Sequence, residues 1–353
     1  MDSKERVFRT IRREPVDRPA IWLGEPTSGA IANLERSLGI SGINAIKEKL
    51  EDDIFNFNIP YDSPVADHIV NAFDFAKKGI DGQSYEERTL TAPGFFEDYE
   101  DPSRVEDFPW PDPALYIDRE ELLRRVKATP RGKASMVLSW SAHFQDSCSA
   151  FGMETALAKM MLEPEMYKAV IDRITAFYLK ASEIVYETTK GYLDVVLIGN
   201  DFGSQRNLMV SPQLLRELVF DGTKALIDQA HTYDLLVVHH SCGSIYPIIP
   251  DIIELGADAI HPIQALAKDM EAEKLQAEFG SKASFVGGVD AQYLLVQGSA
   301  DDVRRRVREL IELFPTGLVI SPSHEAVLPD VPVENVLAMF EATRDSAQER
   351  SMA

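Results

Sequence analysis

A histidine and a cysteine separated by one residue follow a short apolar run in the segment VVHHSCGS, residues 237–244. An imidazole at His240 and a thiolate at Cys242 suit zinc, which takes nitrogen and sulfur ligands in proteins. A third ligand must come from elsewhere: His324 in SPSHEA is the first candidate, and His261 in AIHPIQ is the reserve. Three protein ligands with an open fourth position would make a catalytic zinc site. The alternative is that Cys242 is a buried small hydrophobe and no metal binds.

Two further segments, GNDFGSQ at 199–205 and GGVDAQ at 287–292, place a carboxylate among glycines. Asp201 in the first could bind substrate, act as a base or orient a ligand histidine. Asp290 and Gln292 in the second could hydrogen-bond a substrate, because paired glycines permit close backbone approach. The alternatives are a turn-capping role for Asp201 and a helix N-cap role for Asp290.

Eight short apolar runs alternate with helical patterns, and these elements must position the polar residues. Each run is nearly continuous in apolar residues, as expected of parallel strands buried on both faces. The predicted strands are Ala20–Leu23, Asp53–Phe57, Ser135–Trp140, Asp194–Ile198, Leu235–His239, Ala257–His261, Ser284–Val286 and Gly317–Ile320. Eight strand–helix units predict an α/β protein with a (β/α)8 TIM barrel, and a doubly wound open sheet is the alternative.

The pattern predicts a single domain over residues 1–353, with one interruption. Residues 79–131 carry acidic and Pro-rich stretches such as EDYEDPSRVEDFPWPDP, which predict an insertion after the second strand. Pro164–Lys190 has apolar residues at spacings of three and four and is predicted as a long helix. Ser211 and Ser299 are predicted helix N-caps.

In a barrel of this kind, chemistry takes place where strands end and their loops begin. We therefore predict catalytic roles for Asp201, Asp290 and His261, which lie at or just beyond predicted strand ends. Substrate contacts are predicted for Trp22, Asn58, Trp140, His143, Gln205 and Gln292. The aromatic residues among them are equally consistent with core packing.

The composition argues against several classes of function. The formal net charge of −21 disfavours binding to a nucleic-acid backbone or to an anionic membrane surface. No run reaches the roughly 18 apolar residues of a transmembrane helix. Two cysteines indicate a reducing, cytoplasmic environment rather than a disulfide-stabilised protein. The absence of Walker, GxGxxG, GxSxG and HExxH motifs disfavours nucleotide-dependent and serine-hydrolase chemistry.

Over nearly its whole length the chain resembles the uroporphyrinogen decarboxylase superfamily. The resemblance is carried by the ordered segments REPVDRPAIWL, GNDFGSQRNLMVSPQLLREL, HHSCGSIYPIIPDIIELGADAIHPIQ, FGSKASFVGGVDAQYLL and SPSHEAVLPDVPVENVLAMFEA. It implies a TIM barrel. The superfamily includes decarboxylases of the haem pathway and zinc-dependent methyltransferases that work with corrinoid proteins.

The motifs favour the methyltransferase branch over the decarboxylases. True decarboxylases carry an RQAGRY-type motif and an FSDI-type motif, whereas this chain has LGEPTSG after Trp22 and NFNIPYD. Without those arginines a polycarboxylate substrate would lack its counter-charges. HHSCGS resembles the zinc motif of the methyltransferases, which implies that His240 and Cys242 are ligands. Their third ligand is a cysteine in an SPGCG-like motif, where this chain has His324. That histidine is either a substituted ligand or a pocket residue like the one in the decarboxylases' GHG-type motif.

The resemblance therefore implies a methyltransferase with Zn²⁺ and a corrinoid carried on a partner protein, since the chain has no DxHxxG cobalamin motif. The zinc would activate an acceptor thiol or a methyl donor, such as an aromatic methyl ether. One alternative is a decarboxylase of a small carboxylated substrate or a tetrapyrrole, with Asp201 and His324 as acid and base. Another is a non-catalytic barrel that binds a tetrapyrrole or a corrinoid partner. The sequence does not indicate an oligomeric state.

Overall fold

The computed structural model of the chain describes residues 1–76 and 91–352. Within them lies one sheet of seven parallel strands in which neighbours in sequence are neighbours in space. The strands are β1 (Ile54–Asn58), β2 (Ala134–Trp140), β3 (Val195–Gly199), β4 (Leu236–His240), β5 (Ala259–Ile263), β6 (Ser284–Val289) and β7 (Leu318–Pro322). Parallel neighbours need crossover connections, and helices supply them. The α/β architecture is consistent with a TIM-barrel-like fold.

Fourteen α-helices are described in these residues, most of them between successive strands. They are α1 (Ser3–Ile11), α2 (Ser28–Leu38), α3 (Ile43–Leu50), α4 (Arg119–Lys127), α5 (His143–Phe151), α6 (Met153–Leu162), α7 (Pro164–Thr189), α8 (Pro212–Leu218), α9 (Phe220–His231), α10 (Ile249–Leu255), α11 (Ala272–Phe279), α12 (Leu294–Gln297), α13 (Ala300–Leu313) and α14 (Val333–Met352). The long helix predicted at 164–190 is confirmed as α7, and both predicted N-caps accept backbone N–H groups.

The strands are apolar on both faces because the core has two layers. In β3, Val195 and Leu197 belong to the cluster enclosed by the sheet. Val196 and Ile198 belong to the larger cluster between the sheet and the helices. Alternate residues of a strand point to opposite faces, so a strand buried on both sides is apolar throughout.

The first predicted strand, Ala20–Leu23, is reduced to a single parallel bridge between Ile21 and Ile320 of β7. The carbonyl of Ile21 also accepts a hydrogen bond from the N–H of Asp53, just before β1. Regular backbone pairing with β1 does not continue, because two backbone N–H groups of the segment donate to side chains instead. Ile21 N donates to Asp53, and Leu23 N donates to Asp52. The segment thus touches both edges of the sheet, and a full eighth strand remains a prediction.

Buried ion pairs hold this segment to the start of β1. Asp53 is fully buried and accepts from Arg6 Nη1 at 2.8 Å and from Arg18 Nη1 at 2.7 Å. Both arginines are also buried, so each charge is compensated within the protein. The ion pairs lie at the N-terminal edge of the sheet, away from the edge where the candidate residues meet.

The segment predicted as an insertion, residues 79–131, lies between β1 and β2. Its first part, 79–90, lies outside the described residues. The rest contains short 3₁₀ turns and α4, which packs against α7. Among the described helices, none combines the length and hydropathy that a bilayer crossing would require.

Candidate active site

Six side chains with metal-ligating or acid–base chemistry meet where β3, β4, β5 and β7 end. All strands of a parallel sheet run in the same direction, so their C-terminal ends share one edge. The six residues are Asp201 after β3, His240 and Cys242 at and after β4, His261 within β5, and His324 and Glu325 after β7. We call this set the donor cluster.

His240 is the centre of the donor cluster. Its Nδ1 lies 2.8 Å from Nδ1 of His261, and its Nε2 lies 3.2 Å from Oδ1 of Asp201. Asp201 Oδ1 also accepts the backbone N–H of Cys242 at 2.9 Å, which fixes the loop after β4. Gly199 permits this arrangement, because a Cβ there would lie 2.1 Å from the carbonyl oxygen of His240. A side chain at residue 199 would push β3 away from the site.

Cys242 connects His240 to the residues after β7. Its Sγ lies 3.5 Å from Nε2 of His240. It also forms a group with His324 and Glu325 in which the ligand atoms lie within 4.8 Å of one another. The side chain of His324 is 43% exposed, whereas that of His240 is 5% exposed. The site is therefore open to solvent on the His324 side.

The donor cluster fits a metal ion such as zinc. Three overlapping groups each bring ligand atoms within 4.8 Å: Asp201 with His240 and Cys242, His240 with His261 and Glu325, and Cys242 with His324 and Glu325. Oε2 of Glu325 is buried without a hydrogen bond, 3.8 Å from His240 Nδ1 and 3.6 Å from His324 Nδ1. An unpaired buried carboxylate oxygen beside imidazoles and a thiol matches the nitrogen, sulfur and oxygen ligands of zinc.

The charges of the metal-free donor cluster follow from its contacts. Burial opposes ionisation of Asp201, but the hydrogen bond with His240 lowers the pKa of that carboxyl to about 2. Burial also opposes protonation of His240, yet its contacts with Asp201 and Cys242 raise its pKa well above the ordinary value. Burial and the charge of His240 lower the pKa of His261 well below the usual range. A metal bound through His240 would displace the proton held there.

Two tryptophans flank the histidine pair. The ring of Trp22 meets His261 edge-on at 5.4 Å between centroids, and Trp140 meets His240 in the same way at 5.2 Å. Trp140 and the next residue, Ser141, both have φ of +57°, a region that non-glycine residues rarely adopt. This strained backbone aims the indole at His240, as is common where a site overrides local preference.

A polar network lies beside Trp22, on β1. Oδ1 of Asn56 accepts from Nε1 of Trp22 at 3.1 Å and from the buried ammonium of Lys47 at 2.6 Å. Asn58 donates from Nδ2 to Glu25 at 2.5 Å, while its Oδ1 is buried without a partner. The structure therefore places Asn58 near the sheet edge with one unused acceptor. A substrate contact by Asn58 remains a prediction.

Asp290 and Gln292, the two predicted residues after β6, have different surroundings. Asp290 accepts the backbone N–H groups of Gln292, Tyr293 and Leu294, so it caps the turn into α12. Gln292 lines a cavity that also contains His324. Gln292 thus shares a cavity with one member of the donor cluster, and Asp290 has a turn-capping role close to the N-cap alternative, although the N-cap residue of α12 is Tyr293. Chemistry by Asp290 remains untested.

Two predicted substrate contacts, His143 and Gln205, do not belong to the donor cluster, and both stay predictions. His143, at the start of α5, is fully buried, and its ring nitrogens lie 3.0 Å from the carbonyl of Ser141 and 3.3 Å from that of Val219. These contacts place the imidazole among the helices. Gln205 lies exposed in the loop after β3, where its carbonyl accepts from the N–H of Lys268.

Glu325 was not predicted from the sequence, although it contacts His240 and His324. Its signal was its place directly after His324 in SPSHEA. Tertiary contacts position it: Glu25 N donates to its carbonyl at 2.7 Å, and Gly24 lies so close that a Cβ would be 2.3 Å from that oxygen. The N-terminal segment thus holds the loop that carries His324 and Glu325.

Comparison with known proteins identifies a family whose model matches the chain and a solved structure with a similar fold. The family model described as uroporphyrinogen decarboxylase (URO-D) matches residues 94–346. A solved methyltransferase from Methanosarcina mazei resembles the chain with a TM-score of 0.70 and 18% sequence identity, over 98% of this chain and 99% of that chain. At that identity the likeness concerns the fold. No curated protein matches the chain significantly.

Proposed function

The chain belongs to the uroporphyrinogen decarboxylase family, and from this premise we propose that it is a zinc-dependent methyltransferase that works with a corrinoid protein. The observation that carries the proposal is the convergence of Cys242 with two histidines and two carboxylates at one open sheet edge. A thiol within 3.5 Å of an imidazole is suited to zinc. The methyltransferase from Methanosarcina mazei, whose fold is similar, is a further argument for this branch.

His240, Cys242 and His324 would hold the ion, with Glu325 and Asp201 beside them. When bound, zinc would supply Lewis acidity to the heteroatom that loses or gains the methyl group. Asp201 would keep the Cys242 loop in place through its 2.9 Å hydrogen bond and would face His240. These contacts preorganise the ligands before the ion arrives, which is what outer-shell partners of a metal site do.

The donor cluster is shielded from water on the side of the two tryptophans and accessible to a partner on the side of His324. Trp22 is buried and Trp140 is partly buried, and both pack against the histidine pair. The His324 side is open. Because the chain contains no DxHxxG motif, the corrinoid would be presented there by another protein. The methyl donor would be a small molecule, for which an aromatic methyl ether is the first candidate.

Metal analysis tests the proposal first. We expect about one zinc ion per chain in protein purified with zinc, and loss of that zinc in Cys242→Ser and His324→Ala. Two matched controls should keep it: Cys148→Ser, whose thiol is buried in α5, and His231→Ala, whose imidazole is paired with Asp258 at the protein surface. A wild-type protein that takes up no zinc on reconstitution would overturn the proposal.

Methyl transfer is the second test. Zinc-loaded protein is mixed with cob(I)alamin, as a substitute for the corrinoid protein, and with a panel of methyl ethers and thioethers. Formation of methylcobalamin, followed by absorbance, is expected for wild type and lost in Cys242→Ser. The competing decarboxylase hypothesis predicts a different result: release of carbon dioxide from a carboxylated substrate by metal-free protein, unaffected by Cys242→Ser.

A further inference from the structure

We propose that the cavity beside His324 is the subsite for the methyl donor, and that it accepts an uncharged methyl ether or thioether no larger than a single substituted ring. The proposal deepens the proposed function and rests on it. The cavity has a volume of about 200 Å³ and lies between the loops that follow β5, β6 and β7. Ligand cavities for drug-sized molecules are typically larger, about 300–1,000 Å³. A polycyclic or tetrapyrrole ligand would not fit.

The cavity is joined to the donor cluster by two residues. His324 lines the cavity and also belongs to the group with Cys242 and Glu325. Gln264 lines the cavity and accepts the N–H of Gly243, next to Cys242, at 2.5 Å. A molecule in the cavity would therefore lie against His324, one of the three residues that would hold the metal. This adjacency is what a subsite for the reacting molecule requires, because methyl transfer needs the two centres in contact.

The charge of the lining selects the substrate class. The described lining residues are Gln264, Ala291, Gln292, Leu295, Pro322, Ser323, His324, Ala326, Val327, Leu328 and Val331. None of these is Asp, Glu, Lys or Arg. Apart from the metal that His324 would hold, which the reacting heteroatom of the substrate would occupy, the lining offers no cation to a carboxylate, sulfonate or phosphate and no anion to a methylammonium group. Either charge would therefore lose its hydration without compensation. A neutral ether or thioether carries no such penalty.

Polar groups at the cavity wall can orient one substituent of the substrate. Oε1 of Gln264 accepts the N–H of Gly243, so the NH₂ group of Gln264 is left as a donor for a ligand. Gln292 is exposed at the rim and offers both a donor and an acceptor. Ser323 already accepts the N–H of Ala291 at 3.0 Å, so its hydroxyl proton is the group that can reach a ligand. These donors suit an ether oxygen or a ring hydroxyl.

Ligand binding measured by saturation-transfer NMR tests the subsite without requiring turnover. The probes share one ring and differ in charge: 4-methoxyphenol, 4-methoxybenzoate and (4-methoxyphenyl)trimethylammonium. We expect binding of the neutral probe and at least tenfold weaker binding of both charged probes. In Ala291→Phe the added ring occupies the cavity, and binding of 4-methoxyphenol should fall at least tenfold. Ala277→Phe, at an exposed position near the end of α11, adds the same ring on the side of the sheet where β6 begins and should bind as wild type does.

The outcomes separate this inference from the proposed function. Ala326→Leu fills the cavity from its other wall, so it repeats the test if Ala291→Phe melts early. Zinc content is measured in every variant, and both cavity variants should retain it. Methyl transfer that survives both cavity-filling variants would overturn the subsite while leaving the function intact. Neutral-probe binding that both variants abolish, without any methyl transfer by wild type, would show that the cavity binds a neutral ligand but would refute both the methyltransferase function and the cavity's role as its donor subsite. Equal binding of the anionic probe would overturn the substrate class.

Discussion

Replacing His261 by phenylalanine should weaken zinc binding through the loss of one hydrogen bond. Nδ1 of His261 lies 2.8 Å from Nδ1 of His240, so one of these nitrogens donates and the other accepts. If His240 gives the lone pair of Nε2 to a metal, its Nδ1 carries the proton and His261 must be the acceptor. The contact therefore fixes the tautomer of His240 that can bind the metal.

The size of the effect follows from the burial of the pair. Both imidazoles are buried, so the His261→Phe substitution would leave the Nδ1–H of His240 without a partner in the metal-bound form. An unsatisfied buried donor costs about 1–3 kcal/mol. The metal-free variant can reduce this cost by releasing the Nδ1 proton of His240 and keeping the proton on Nε2 against Asp201, 3.2 Å away. At 1.4 kcal/mol per factor of ten, the Kd for zinc should rise roughly 5- to 150-fold.

The assay is a competition titration of Zn²⁺ against a chelator of known affinity at fixed pH. Phenylalanine preserves the ring contact with Trp22, so His261→Phe should melt close to wild type. His261→Asn offers a carbonyl acceptor and should recover part of the affinity, and His231→Phe is the surface control. A Kd for His261→Phe within twofold of wild type would refute the reasoning. Complete loss of zinc in both His261 variants would make His261 a ligand instead.

Three further predictions concern stability and the backbone around the site. Asp53→Ala removes the carboxylate partner of buried Arg18 and leaves Arg6 with Asp17 alone, so it should lower the free energy of unfolding in urea by about 3–5 kcal/mol. Burial raises the pKa of Asp146 to about 7 despite the hydrogen bond from Tyr178, so the folded state binds more protons than the unfolded state between about pH 4 and 7. Wild type should therefore lose up to about 3 kcal/mol of stability from pH 5 to pH 8, and Asp146→Asn should remove that slope. Gly199→Ala drives a methyl group into the carbonyl of His240, so both zinc content and melting temperature should fall, and a wild-type value of either would contradict the close approach.

The sequence alone determined the parts of the protein that depend on local pattern. Seven of eight predicted strands form because continuous apolar runs suit strands that are buried on both faces. Ser211 and Ser299 cap helices because a side-chain oxygen can satisfy the first free N–H groups of the helix it precedes. His240 and Cys242 could be identified as candidate metal ligands because both come directly after a predicted strand. The predicted first strand is present as a single bridge to β7, because two aspartates accept the N–H groups on its other side, and a full eighth strand stays a prediction.

Only the tertiary structure decided which side chains face one another. In the pair His239 and His240, His240 points to the donor cluster, whereas His239 is buried beside Phe202 in the layer of the helices. A shift of one residue along a strand reverses its face, and the register with β3 and β5 is set by distant segments. Glu325 likewise joins His240 across 85 positions of sequence because β4 and β7 end at the same edge. Spacing along a chain determines which face a residue takes within its own element, but contacts between elements depend on how the whole sheet curls around its core.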